Sequence, residues 1–271
     1  MAEPDPYLLG YRTAEQERLV RQAGELGPDS DALFARIGVQ PGWRVVEIGC
    51  GPQGCLELLS KRVGAGGRVV GIERSAEEVE RARRFVATNG LANVDVRCAD
   101  ARATDLAPAS FDLATSRLVL VNVPKPEEIV REMVRLTRPG GWVAFHEPIN
   151  TTQRVYPPHP AQDQLLDLLG RYATLNGIDR NIGLRTPGLV HDAGVRELQV
   201  TPLVYVYPRE HSRRYLLLEF VENLRERVLE KNLISATELA ALTSALHAHL
   251  DDPATLVVSN VFLQVWGRIP E

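Results

Sequence analysis

Glu47, the run Gly49-x-Gly51-x-x-Gly54, Glu73 and Asp100 stand at intervals that suit a nucleoside-shaped ligand. Glycines in that spacing let a backbone turn sharply and approach a ligand closely. Glu47 ends the strand one residue before them, where a carboxylate would repel a pyrophosphate and attract a sulfonium or an amino group. Glu73 lies about 20 residues past the glycines, where a carboxylate can accept hydrogen bonds from both hydroxyls of a ribose. The expected ligand therefore carries a ribose and a positive charge and lacks a pyrophosphate. Asp100 taken alone reads as a turn former or helix cap, and it gains weight from following Glu47 and Glu73 in order.

These residues need a scaffold that gathers them, and the surrounding pattern supplies one. Val45 to Ile48 is a short apolar run of strand type, and a helical pattern resumes from Cys55 to Val63. Arg68 to Glu73, Val94 to Asp100, Phe111 to Ser116 and Trp142 to Phe145 read as further strands, separated by helices. One helix opens with Ser75-x-x-Glu78 and another with Pro126. Strands alternating with helices at this pitch give right-handed crossovers and a parallel sheet, with ligands at the strand C-termini. Glu47, Glu73, Asp100, Ser116, Arg117, His146 and Glu147 all fall at such ends.

The first forty residues, carrying Tyr7, Tyr11 and Arg12, read as a helical appendage outside the sheet (1–40), ahead of a cofactor-binding core at 41–150. From 151 to 195 the strand–helix alternation breaks, and a cap of helices rich in Leu165, Leu168, Leu169 and Tyr172 is expected. Residues 196–271 should complete the sheet with a sixth strand over Glu197 to Tyr207, two helices, and a late strand over Leu256 to Val265. The fold class is α/β: a Rossmann-like, seven-stranded, mostly parallel sheet with an antiparallel last strand.

The acidic residue before G-x-G, the phrase Ser116-Arg117-x-Val119-Leu120-x-x-x-Pro124-x-Pro126 and the turn Pro139-Gly140-Gly141 resemble class I S-adenosylmethionine-dependent methyltransferases, in their small-molecule, quinone-pathway-like and natural-product branch. The resemblance implies S-adenosyl-L-methionine as cofactor. It implies cofactor contacts from Glu47, Gly49, Cys50, Gly51, Gly54, Glu73, Arg74 and Arg117, with Asp100 on the adenine amine and Ala101 supplying a backbone amide. Tyr11 would fold over the cofactor, and Tyr7, Glu147 and Tyr172 would face the acceptor. Tyr7 and Tyr11 are equally readable as packing of the appendage. Many relatives carry His where Asn122 stands, so no role of that His transfers to this chain.

Length and charge bound the partners. The 271 residues can bury a substantial core. A formal net charge of -4 argues against a general nucleic-acid or anionic-membrane binder and for a small-molecule acceptor. Cys50, Cys55 and Cys98 are odd in number and lack metal-ligand or disulfide-framework spacing, which suggests reduced thiols and a soluble, cytoplasmic protein without a metal. The charged helix near Glu219 to Lys231 presents one exposed face and could serve a homodimer contact.

Methyl transfer from a sulfonium is a direct displacement, so alignment and water exclusion carry most of it. If a base is needed, His146 past the fifth strand is the candidate, since imidazole titrates near neutral pH. It is equally readable as a hydrogen-bonded part of the cleft wall. A nicotinamide-dependent reductase on a similar sheet is disfavoured by Glu47, by the Pro-Gly-Gly turn and by the lack of a Tyr-x-x-x-Lys pair. A cyclase or a non-methylating binding protein on the same fold stays open, because fold does not fix function. The acceptor is expected to be small and largely apolar, modified at O, N or C.

Overall fold

The computed structural model describes residues 13–271, so Tyr7, Tyr11 and Arg12 lie outside the described residues. The described residues open with α1 (Thr13–Glu25) and α2 (Gly27–Ile37), then enter β1 (Arg44–Ile48), α3 (Leu56–Val63), β2 (Arg68–Glu73), α4 (Ala76–Thr88), β3 (Val94–Cys98) and β4 (Phe111–Arg117). It continues through α5 (Pro126–Leu136), β5 (Thr137–Ile149), β6 (Arg154–Tyr156), α6 (Pro160–Leu175), α7 (Thr186–Asp192), β7 (Arg196–Leu203) and β8 (Val206–Tyr207). The last elements are α8 (Leu216–Glu230), α9 (Ala236–Asp251), β9 (Leu256–Val258) and β10 (Val261–Arg268).

Seven strands form one sheet in the order β3-β2-β1-β4-β5-β10-β7. β1 through β5 pair in parallel, and β10 runs antiparallel to both β5 and β7. This is the expected Rossmann-like architecture with its antiparallel late strand. The order reverses at β1 and β4, and a crevice opens above their carboxyl ends there.

The alternation of strand side chains decides which helices cover which face. Val45, Val69 and Leu113 pack with Leu33, Phe34, Leu59 and Val79 beneath α2, α3 and α4. Val46, Val70 and Ala114 face the other way, against Ile129, Met133 and Val190 of α5 and α7. Local signals set the ends: Ser75 Oγ accepts the Glu78 N–H at the start of α4, and Gly38 closes α2 with φ 80°.

The cap differs from the expected segment 151–195. α7 lies on the sheet, whereas α8 and α9, expected to complete the sheet, pack against α6. Leu165, Leu168 and Leu169 of α6 meet Leu217, Val221 and Leu224 of α8 and Leu239 and Leu246 of α9. With helices already on both faces of the large sheet, the apolar stripes of α8 and α9 are buried against α6 and against Val155, Tyr207 and Val257 of the strands beside it. The expected last strand is also split: β9 joins β6 and β8 in a small separate sheet, and β10 alone enters the large one.

Candidate active site

A cavity of about 520 Å³ opens over the carboxyl ends of the central strands. Its floor is the turn that follows β1. Gly49 (φ 66°) and Gly54 (φ 49°) take left-handed backbone, and a Cβ on Gly54 would stand 2.6 Å from Glu47 Oε1. Only glycine admits that carboxylate beneath the loop. Both oxygens of Glu47 accept the Cys55 N–H, at 2.8 and 3.0 Å. Burial pushes the Glu47 carboxyl up to about 7 despite Arg117 nearby. Arg117 itself donates to Ser30 Oγ at 3.0 Å and to the Gly54 carbonyl at 3.3 Å, which ties the glycine turn to α2.

Glu73 at the end of β2 accepts N–H bonds from Gly51 (3.1 Å), Arg74 (2.7 Å) and Ser75 (2.9 Å). Asp100 accepts from the Arg102 backbone and guanidinium, at 2.9 Å for the N–H and 2.6 Å for Nη2, and these bonds hold its carboxyl below the ordinary value. Glu47, Gly49, Cys50, Gly51, Gly54, Glu73, Arg74, Asp100, Ala101 and Arg117 all line this one cavity.

The donor set fits a ribose-bearing cation. The Gly51 amide already donates to Glu73, so it is not turned toward a phosphate. Glu47 is a buried carboxylate without a cationic hydrogen-bond partner, and a bound ammonium would supply one.

Three residues expected in the site stand elsewhere. His146 does not line the cavity: it is 2% exposed, stands edge-on to Phe262 at 5.3 Å, and neither ring nitrogen has a hydrogen-bond partner. Burial, with Arg117 and Arg213 nearby, lowers its pKa to about 3, so the ring is neutral. The reason is strand length. β5 runs on past Phe145 to Ile149 in register with β10, so Pro148 and Asn150 reach the cavity and His146 stays within the ladder. Glu147 is fully buried and caps the turn after β4, accepting N–H bonds from Val119, Leu120 and Val121 at 3.1, 2.9 and 3.2 Å. Burial lifts its carboxyl to about 8. Tyr172 is buried in the cap core among α6, α8 and α9. The acceptor roles expected of Glu147 and Tyr172 therefore become positioning and packing roles.

The opposite wall comes from residues that carry no motif. α1 contributes Arg18, Leu19 and Gln22, α8 contributes Leu216 and Phe220, and Arg180, Asn260 and Phe262 complete it. Polar bonds hold α1 in place over the opening. Gln16 donates to Glu78 of α4 at 3.1 Å, Asn223 of α8 donates to Glu15 at 2.9 Å, and Arg21 pairs with Glu219 at 2.9 Å. The one cue available in the sequence was Arg180 itself, a cation in a linker otherwise read as part of an apolar cap.

Residues 46–145 match the family described as Methyltransferase domain. The ubiquinone biosynthesis O-methyltransferase of Chromobacterium violaceum is 32% identical over 175 residues, which are 64% of this chain and 69% of that protein. The YcgJ protein of Bacillus subtilis superposes with a TM-score of 0.62 at 16% identity, over 90% of this chain and 99% of that one. Phosphoethanolamine N-methyltransferase 2 of Haemonchus contortus, solved in complex with S-adenosyl-L-methionine, gives a TM-score of 0.57 at 19% identity, over 90% of this chain and 53% of that one. The two structural likenesses concern the fold. The chain spans about half the length of several curated relatives it matches.

Proposed function

We propose, from the premise that this chain belongs to the class I S-adenosylmethionine-dependent methyltransferases, that it transfers a methyl group to O, N or C of a small biosynthetic metabolite with a largely apolar body. The observation that carries the reading is one cavity with two unlike walls. On one side stand Glu47, Glu73 and Asp100 with the glycine turn, and on the other Leu19, Leu216, Phe220 and Phe262. When bound, S-adenosylmethionine supplies an electrophilic methyl group on a sulfonium.

The chain's own residues do the rest by position. Glu73 would hold the ribose hydroxyls, Asp100 with Ala101 the adenine edge, and Glu47 the charged amino end. Helix α1, bonded to α4 and α8, screens the cavity from water, which favours a displacement between aligned partners. Among the described residues no histidine lines the cavity, so alignment rather than imidazole base catalysis accounts for the rate. Among the described residues no helix is long and apolar enough to cross a membrane.

The test is product mass. Incubation with S-adenosylmethionine and candidate acceptors should yield a product heavier by one methylene equivalent, together with S-adenosylhomocysteine. A product of unchanged mass, formed without cofactor consumption, would instead assign a cyclase-type reaction to the fold.

A further inference from the structure

One cation in the cavity wall has no anion to answer it. Arg18 pairs with Glu15 at 2.6 Å, and Arg213 pairs with Glu25. The Arg180 guanidinium, among the described residues, has neither a carboxylate nor a hydrogen-bond acceptor, and its contact is the face of Phe220, with Cζ 5.4 Å from the ring centroid. It is half-buried in the cavity wall, and the partial loss of water around it pulls its pKa down to about 10. An isolated charge so placed is costly unless something of opposite sign joins it.

A second group lines the same cavity. Asn260 is 6% exposed and lines the cavity, and its Nδ2 has no hydrogen-bond partner. The sheet brings the two together. Val261 pairs with Ile149 at the end of the β10–β5 ladder, which leaves Asn260 and Asn150 as the next residues out. Asn150 fixes the backbone of Arg180 by donating to its carbonyl from its own N–H at 3.2 Å and from Nδ2 at 2.6 Å. The backbone of Arg180 is thus anchored at the strand ends that carry Asn150 and Asn260. This corner lies three strands along the sheet from the glycine turn of β1, roughly 14 Å at ~4.8 Å per strand.

We infer that Arg180 and Asn260 form the subsite for a carboxylate on the acceptor, with Phe220 and Phe262 holding the apolar body of the molecule. One unpaired positive charge calls for one negative charge, and an amide donor beside a guanidinium suits the planar oxygens of a carboxylate. The inference rests on reading this cavity as the acceptor site of a methyltransferase. It narrows the acceptor to an apolar acid.

Benzoate and benzamide are matched probes of equal shape that differ in charge. Each is titrated by calorimetry into wild-type protein saturated with S-adenosylhomocysteine, whose own binding is measured first. Benzoate should bind about 10- to 100-fold more tightly than benzamide, the span of charge-assisted hydrogen bonds. Arg180→Leu should abolish that preference while leaving S-adenosylhomocysteine affinity unchanged, and Arg180→Lys should keep part of it. Asn260→Leu, on a different element, should reduce the preference on its own, so the conclusion does not depend on one variant folding. Equal binding of both probes by wild type, no binding of either at the solubility limit, or a preference that survives Arg180→Leu would overturn the inference. Absence of S-adenosylhomocysteine binding would strike the functional reading itself and is seen separately in the first titration.

Discussion

Binding of the cofactor should expel a proton from beneath the glycine turn. In the free protein the buried Glu47 carboxyl is raised to about 7, so at pH 7 about half the molecules carry its proton. A ligand ammonium placed against it would restore the ordinary value of 4.5 and leave the carboxylate ionised. The expected release is about half a proton per site at pH 7 and about 0.9 at pH 6. Affinity should therefore rise with pH, by roughly 50- to 100-fold from pH 5 to 7.5, and then flatten as Glu47 becomes fully ionised. The opposite sign governs the folding of the free protein. A carboxyl raised above its unfolded value costs stability as pH climbs from 4.5 to about 7, on the order of 3 kcal/mol at ~1.36 kcal/mol per pKa unit. Calorimetric titration of S-adenosylhomocysteine in phosphate and in Bis-Tris, which both buffer at pH 6 to 7 and differ in heat of ionisation, separates binding heat from buffer protonation and gives the proton count. Glu47→Gln should show no release, no pH slope over this range and weaker binding. A wild-type protein with no proton release at pH 6 and a flat affinity from pH 5 to 7.5 would show that no cation meets Glu47.

Three further outcomes are expected. Glu73→Ala should weaken S-adenosylhomocysteine binding by about 10- to 100-fold, because it removes a ribose acceptor and also frees the Gly51 amide; unchanged affinity in a folded variant would take Glu73 out of the site. His146→Leu should keep turnover within about threefold and preserve the pH profile, since the imidazole stands outside the cavity; a loss of about 100-fold with an altered pH limb would return it to the chemistry. Glu147→Ala should lower unfolding free energy in urea by about 3–5 kcal/mol, because three buried amides lose their common acceptor, and stability equal to wild type would refute that capping role.

The sequence by itself determined the sheet and the nucleoside side of the cavity. Strand, glycine turn and helix are local patterns, with periods of 2 and 3.6, and the carboxylates of Glu47, Glu73 and Asp100 follow strand ends that such patterns locate. Only the tertiary structure decided the other side. His146 looked terminal because the apolar run stops at Phe145, but pairing with β10 carried β5 on to Ile149 and enclosed the ring. Glu147 read as a free carboxylate, and the turn at Val119 to Val121, brought beside it by the β4–β5 pairing, took both its oxygens. α8 and α9 looked like sheet helices, since an amphipathic stripe does not say which surface it covers; with both sheet faces occupied they closed on α6 instead. Arg180, Phe220 and Asn260 share no spacing at all. They meet because α8, the end of β10 and the linker before α7 converge on one corner of the cavity, and such convergence is a property of packing that no local period records.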